Sequence, residues 1–189
     1  MLLIEAHQQR LISVARASIA HGLKTGRALP VILSEYPPEL QVIAATFVTL
    51  ERHHELRGCI GMLQAVRPLV QDVAENAFSA AFRDHRFAPL TEMELEGLEL
   101  HISILSAPEP IVFSSEQDLL NQLRPGIDGL ILEDRHHRGT FLPSVWESLS
   151  SPRDFLNHLK QKAGLSAHYW SDSLKVSRYS TSVIHAIYR

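Results

Sequence analysis

The stretch Leu56-Arg57-Gly58-Cys59-Ile60-Gly61 follows a run of β-branched and aromatic residues and a short polar turn. The run, Val42–Leu50, predicts a buried strand, and the polar residues Glu51–Glu55 suit a hairpin turn. The residues Leu56–Leu63 are then the partner strand, with two glycines inside it. Because glycine inside a strand often marks a bulge or the close approach of another backbone, the sequence predicts a β-hairpin with an unusual second strand.

Helices and further strands are predicted on both sides of this hairpin. An apolar period of about 3.6 residues predicts a helix over Leu3–His21, and a second amphipathic helix is predicted over Pro68–Arg83. Thr91 and Glu94 have the spacing of a capping box, which predicts a short helix over Thr91–Leu95. The other predicted elements are strands over Leu98–Leu105, Gly129–Asp134 and Gly139–Leu142, a helix over Pro152–Ala163, and strands over Leu174–Ser180 and Val183–Tyr188.

This order of elements occurs twice along the chain. Arg52-His53-His54 precedes Arg57-Gly58-Cys59-Ile60, and Arg135-His136-His137 precedes Arg138-Gly139-Thr140-Phe141. A helix that begins at proline and then a β-rich stretch follow each of the two motifs. We interpret the chain as one domain over residues 1–189, with related halves at 40–106 and 127–189. The alternative is that the few matching letters are coincidental.

Composition excludes several classes of protein. The chain has 189 residues and a net charge of −3, so it lacks the basic excess of a non-specific nucleic-acid binder. It has one cysteine, so an intrachain disulfide or a cysteine-rich metal centre is excluded. The N-terminal residues lack the pattern of a signal peptide, and no apolar run is long enough to cross a bilayer. We therefore expect a cytoplasmic protein without nucleic-acid or membrane partners.

Cys59 is the candidate catalytic residue. Arg57 would lie on the same face as Cys59 in a regular strand, and a nearby cation favours the thiolate form of a cysteine. A nucleophile also needs an acid or base, for which His85 is the candidate that we choose among the histidines near the motifs. The alternative is that Cys59 is buried and inert, with Gly58 and Gly61 serving a bulge.

The candidate ligand-binding residues are Arg57, Gly58, Gly61, Asp84 and Arg86. Arginine binds carboxylate or phosphate through two hydrogen bonds, so these arginines could bind an anionic ligand. The alternative is that they form ion pairs with Asp84 that only stabilise the fold. The two His-His pairs are interpreted as solvated turn residues, so no metal ligands are assigned, and the sequence leaves any cofactor unknown. The sequence contains no phosphate loop, dinucleotide fingerprint or HExxH motif.

Several motifs together resemble the AMMECR domain family, also called AmmeMemoRadiSam system protein A. The hallmark is the stretch 56–61, and further matches cover almost the whole chain. They are Thr46–Leu50, Asp84–Phe87 with Pro89-Leu90, Gly126–Leu130, Phe141–Val145, Phe155-Leu156, Lys162–Leu165 and Trp170. Family members often have proline where His85 stands and glutamine where Ser144 stands, so no role for an amide side chain at position 144 carries over.

The resemblance implies an α+β fold, with a single, mostly antiparallel sheet and packed helices built as two related β/α repeats. It brings no established activity, so whether the protein is an enzyme stays open. Together with the residues, it predicts a small-molecule site around the hallmark, for an anionic or carbonyl-bearing metabolite, in which Cys59 is the candidate for catalysis. The alternative is a non-catalytic accessory module for a Memo-type or radical-SAM partner, because the family name associates these proteins.

Overall fold

A computed structural model describes residues 3–188 and divides the chain into two compact units. The first unit runs to Leu105 and resumes at Ser182, and the second spans Ser106–Thr181. None of the described helices is both long enough and apolar enough to cross a membrane.

The helices and strands are numbered along the chain. The α-helices are α1 (Glu5–Thr25), α2 (Pro38–Gln41), α3 (Leu69–Phe82), α4 (Glu116–Gln122) and α5 (Pro152–Lys162), and 3₁₀ turns occupy Leu33–Glu35, Glu92–Glu94 and Pro143–Glu147. The strands are β1 (Ile43–Ala44), β2 (Thr46–Arg52), β3 (Glu55–Gly61), β4 (Arg67–Pro68), β5 (Leu98–Leu105), β6 (Glu109–Pro110), β7 (Gly129–Asp134), β8 (His137–Phe141), β9 (Lys175–Tyr179) and β10 (Thr181–Ile187).

The first unit is built on a sheet with the strand order β10-β5-β2-β3. Strand β2 is antiparallel to both β3 and β5. Successive side chains of a strand point to opposite faces, so every second residue of β2 and β5 enters a core that includes apolar residues of α1 and α3. The strand residues in this core include Val48, Leu50, Leu98, Leu100 and Ile102, and the helix residues include Leu11, Ala15, Ile19, Val73 and Ala77.

The residues between these core positions define the other face of the sheet. They are half-buried and mostly polar, and we call the set Thr49, Glu51, Cys59, Glu99, His101 and Ser103 the polar face. Strand pairing aligns Cys59 of β3 and His101 of β5 with the same residue of β2, Thr49. The polar face therefore brings together side chains from three neighbouring strands.

The second unit has its own sheet, in the order β6-β9-β7-β8, and its own core. Its central strand β7 is antiparallel to β8 and β9. Helix α5 contributes Phe155 to this core, and the ring of Trp146 stacks on Phe155 with centroids 3.8 Å apart. Stacked aromatic rings are therefore part of the core of this unit.

The predicted α+β class with antiparallel sheets is confirmed, but the number of sheets differs from the expectation. Instead of a single sheet, the described strands form two four-stranded sheets and the two-stranded sheet β1-β4. Alternating patterns identify strands, but they do not identify partners, because any strand with one apolar face can pair with several others. Strand β10 pairs in the first unit rather than with β9, which precedes it directly.

The two four-stranded sheets share the arrangement of three of their strands. In each, a hairpin contributes an inner and an edge strand, and the strand that follows the next long helix lies beside the inner one. In each, a glycine of the edge strand touches that helix: Gly58 lies against Ala80 of α3, and Gly139 lies against Ala163 at the end of α5. These equivalences support two related halves, and their superposition stays a prediction.

The contact between Gly58 and Ala80 predicts that any larger residue at position 58 destabilises the fold. A Cβ atom at position 58 would lie 2.1 Å from the carbonyl oxygen of Ala80, so α3 and β3 would have to separate. We expect Gly58→Ala to lower the free energy of unfolding by about 3 kcal/mol, the upper part of the range for overpacked cores. Urea unfolding followed by circular dichroism would measure this loss.

Gly139→Ala is the matched control in the second unit. There the added Cβ would lie 3.0 Å from the Cβ of Ala163, a contact that a small adjustment relieves. We expect a loss of about 1 kcal/mol, at the lower end of the same range. Equal losses for the two variants would contradict the importance of the Gly58 contact.

Candidate functional site

Cys59 lies in the middle of β3 and places its thiol on the polar face. Its cross-strand neighbour is Thr49, whose hydroxyl donates a hydrogen bond to Sγ over 3.2 Å. Cys59 is half-buried, so the chain covers it only in part. The site therefore contains a thiol held beside a hydroxyl, and no histidine among residues 3–188 makes a hydrogen bond to it.

The backbone of Cys59 is held from the outer edge of the sheet by an ion pair. Its N–H donates to Oδ2 of Asp84 over 2.9 Å, and its carbonyl accepts from Nη2 of Arg86 over 3.3 Å. Arg86 in turn donates to both carboxylate oxygens of Asp84, over 2.9 Å and 2.6 Å. Since β3 is the last strand of its sheet, the pair supplies the donor and acceptor that a neighbouring strand would supply.

The charges of this pair are strongly fixed. The hydrogen bond from Arg86, reinforced by the N–H of Cys59, holds the pKa of Asp84 far below its usual range, although burial opposes this shift. Asp84 likewise raises the pKa of Arg86 through the same hydrogen bond. An aspartate with such a low pKa stays ionised at physiological pH, so Asp84 positions its neighbours and is poorly suited to accept a proton in a reaction.

Arg57 is engaged by a different carboxylate. It is the residue that the register shift between Leu50 and Glu51 leaves without a partner on β2, so the regular strand geometry that would align it with Cys59 does not hold here. Its Nε donates to Oε1 of Glu94 over 2.7 Å, and its Nη2 to the carbonyl of Ala88 over 3.0 Å. Hydrogen bonds from Arg57 lower the pKa of Glu94 to about 2.

Glu94 also serves the predicted capping box. Its Oε2 accepts from both the N–H and the hydroxyl of Thr91, each over 2.8 Å, and the element that it caps is a 3₁₀ turn.

The guanidinium carbons of Arg57 and Arg86 lie 5.8 Å and 5.5 Å from the ring centroid of Phe87. Arg57 and Arg86 therefore lie around the same Phe87 ring, and Asp84 and Arg86 contact the backbone of Cys59.

The remaining candidate residues have simpler surroundings. His85 is exposed and makes no hydrogen bond to another described residue, so it is free to turn but is not fixed towards the thiol. The carbonyl oxygen of Ala80 leaves no room for a Cβ atom at Gly58. A Cβ atom at Gly61 would likewise lie 2.3 Å from the carbonyl oxygen of Thr46. Both glycines therefore have a packing reason that is independent of any ligand.

The histidine turns also differ from each other. His53 and His54 both have positive φ, at 55° and 63°, and form the turn between β2 and β3. The side chain of His54 lies over the sheet, with Nδ1 3.6 Å from Oε1 of Glu99. His137 instead belongs to β8, and its Nδ1 is 3.0 Å from the carbonyl oxygen of Ala163. The two pairs are therefore not equivalent.

Sequence reasoning did not identify one group of polar residues near Cys59. Glu99, His101 and His185 place one ligand atom each within 4.8 Å of one another on the polar face. Alternation along β5 could have put Glu99 and His101 on one face, but nothing in the sequence pairs β10 with β5. The contribution of His185 therefore becomes visible only in the folded chain.

Comparison with known proteins gives matches along nearly the whole chain. A family model described as AMMECR1 matches residues 12–184. A protein of Methanothermobacter thermautotrophicus is 34% identical over 181 residues, which cover 93% of this chain and 92% of that protein. Protein SSO0193 of Saccharolobus solfataricus is 38% identical over 177 residues, which cover 89% of this chain and 77% of that protein.

A solved structure is similar to the whole chain. The crystal structure of uncharacterized protein PH0010 from Pyrococcus horikoshii has a TM-score of 0.90 and 31% sequence identity to it. The match covers 98% of this chain and 94% of that one. The fold described above is therefore shared with that protein at a level of identity that also indicates common descent.

The ion pair at Cys59 predicts a specific response to acid. A depressed pKa in the folded state means that ionised Asp84 contributes stability that is fully present above its unfolded pKa of about 3.9. This contribution is lost as the pH falls towards the folded-state pKa. We expect Asp84→Asn to lower the free energy of unfolding by about 2 kcal/mol at neutral pH, a typical value for hydrogen bonds to a charged group.

Urea unfolding at a series of pH values would measure the difference between wild type and Asp84→Asn. The difference should shrink below about pH 4, because the wild type then loses the charge that the variant never had. Glu75→Gln removes a carboxylate on α3 that has no hydrogen bond to another described residue, and it should leave stability nearly unchanged. A difference that is constant from neutral to acidic pH would refute the role given to Asp84.

Proposed function

The chain belongs to the AMMECR1 family, as its motifs predicted, and on that premise we propose that it binds a small anionic or carbonyl-bearing metabolite beside Cys59. One observation carries this proposal. The backbone of Cys59 is fixed on the outer edge of β3 by Asp84 and Arg86, while its half-buried thiol points onto the polar face next to Thr49. A rigid backbone and an accessible reactive atom are what a binding site requires.

Unused hydrogen-bond donors near Cys59 favour an anionic ligand. Nη1 of Arg57 is buried and has no hydrogen-bond partner among residues 3–188. Leaving a buried donor unsatisfied costs free energy, and an oxygen of a carboxylate or phosphate would satisfy it. The side chain of Arg86 is 49% exposed, so part of its guanidinium can also reach a ligand. The adjacent aromatic ring of Phe87 keeps both cations in place.

Cys59 gives this site its candidate chemistry. Addition of the thiolate to a carbonyl carbon would form a C–S bond and move the π electrons of the C=O bond onto oxygen, which would then take up a proton. His85 is the candidate donor of that proton. It stands between Asp84 and Arg86 in the sequence, and its exposed ring has no hydrogen bond to another described residue. If the thiol does not react, the same site still binds the ligand through the arginines.

The reactivity of Cys59 is the first test of this proposal. Cys59 is the single cysteine of the chain, so alkylation by iodoacetamide reports on one site. At about pH 6.5 we expect the native protein to be alkylated at a rate comparable to that of the urea-unfolded protein, because the half-buried thiol is partly accessible without unfolding. Mass spectrometry over time would measure both rates.

The serine variant separates chemistry from packing. Cys59→Ser should fold with little loss of stability if the thiol has a chemical role, and it should lose about 1–3 kcal/mol if the thiol is a packing group, since a hydroxyl costs more to bury than a thiol. Native protein that resists alkylation for hours, together with a destabilised serine variant, would leave Cys59 as a structural residue. That result would favour an accessory role for a Memo-type or radical-SAM partner.

Ligand binding itself is tested by thermal shift against small carboxylates, phosphates and oxo-acids, since a ligand that binds only the folded state raises its apparent stability. We expect a compound that stabilises the wild type to have a much smaller effect on Arg86→Lys, because lysine cannot make the two-pronged contact. Arg153→Lys is the control, because Arg153 is an exposed arginine of the second unit and should change nothing. An equal response of both variants would refute the proposed site.

A further inference from the structure

Two histidines and a glutamate meet on the polar face of the first sheet. Glu99 and His101 are two residues apart on β5 and therefore point the same way. His185 of β10 stacks its ring on that of His101, with centroids 4.5 Å apart and planes inclined by 25°. Nε2 of His185 lies 3.3 Å from Oε2 of Glu99. One ligand atom from each residue lies within 4.8 Å of the other two.

The hydrogen bonds of the described residues do not explain this cluster. Nε2 of His101 is buried and has no hydrogen-bond partner among residues 3–188. The carboxylate of Glu51 comes within 3.6 Å of this nitrogen, which is too long for a hydrogen bond. Buried polar atoms in native proteins nearly always have a hydrogen-bond partner, so a buried imidazole nitrogen without one suggests that this atom binds a ligand.

We propose that Glu99, His101 and His185 bind a divalent transition-metal ion such as Zn²⁺. Two imidazoles and one carboxylate are the ligand set of many zinc and non-haem iron sites that keep open coordination positions. Ligands about 2.1 Å from a tetrahedral metal lie about 3.4 Å from one another, so small side-chain rotations close the present spacing. Such rotations are available because His185 is 46% exposed.

The surroundings of the three residues suit a metal with exchangeable ligands. Glu51 lies next to His101, and His54 has Nδ1 3.6 Å from Oε1 of Glu99, so a second carboxylate and a third imidazole lie around the cluster. Carboxylates beside metal-bound histidines orient the rings and raise their basicity. The exposed side of His185 leaves an approach for water or a substrate oxygen.

The metal site lies on the same face as the thiol. Thr49 is the direct cross-strand neighbour of both Cys59 and His101, so their backbones are about two strand spacings, or about 10 Å, apart. A metabolite held beside Cys59 would therefore lie near the metal. The metal proposal nevertheless rests only on the geometry of Glu99, His101 and His185, and it is independent of the function proposed for Cys59.

Titration of the full chain with Zn²⁺ tests the site directly. After removal of metals with EDTA, isothermal titration calorimetry should show about one tightly bound ion per chain. Glu99→Gln, His101→Ala and His185→Ala should each weaken binding by at least about tenfold, since even residues that only orient metal ligands cost about this much when changed. Co²⁺ should give the visible absorption of a site with imidazole ligands in the wild type and lose it in the variants.

The control is His136→Ala, since His136 is an exposed turn histidine of the second unit and should leave the affinity unchanged. Unfolding of each variant in EDTA would show that it is folded, and His185→Ala is the most informative because its side chain is the most exposed of the three. Binding that is equally weak in wild type and variants, or that is lost in His136→Ala, would overturn the proposal. Alkylation of Cys59 measured in EDTA reports on the other site separately.

Discussion

The buried carboxylate of Asp84 is the interaction on which the geometry of the first unit depends most directly. Asp84 lies just beyond the end of α3, and its carboxylate accepts a hydrogen bond from the N–H of Cys59. This bond connects that helix to the last strand of the sheet. The same connection brings Ala80 against Gly58. Its pairing with Arg86 satisfies a strand edge that would otherwise expose free backbone groups. The half-buried thiol of Cys59 lies on the polar face beside Thr49 and not in the apolar core, which is the reason to look for a chemical role there.

The second unit shows what the scaffold is like without that chemistry. Its register places Ile131 opposite Thr140 and Ser177, just as Thr49 stands opposite Cys59 and His101 in the first unit. Lys162 donates to the carbonyl of Thr140, as Arg86 donates to that of Cys59. At these positions of the second sheet a hydroxyl stands where the first sheet has the thiol, and a serine stands where it has the histidine. A sheet with this register therefore forms without a thiol or an imidazole at these positions.

Sequence reasoning succeeded where local chemistry decides the structure. The predicted helix over Pro68–Arg83 agrees with α3, the hairpin agrees with β2 and β3, and the Thr91–Glu94 capping box is present. It failed where distant segments choose partners: the pairing of β10 with β5, and the ion pair of Arg57 with Glu94. Such choices depend on register and on the path of the chain, and neither leaves a periodic pattern in the sequence. The pairing of Asp84 with an arginine was the alternative stated from the sequence, whereas the pairing of Arg57 with Glu94 was not anticipated.

The composition of the polar face is costly if stability alone is considered. One face of an antiparallel sheet is commonly polar, but the residues that best stabilise such a face are threonine and other β-branched residues. Here, the half-buried positions hold a thiol, two carboxylates and an imidazole. Nε2 of that imidazole has no hydrogen-bond partner among residues 3–188. Places where a sequence departs from the choices that favour its own fold are expected to be functional sites. The residues of β2, β3 and β5 that face away from the core are therefore where selection for function is expected to act.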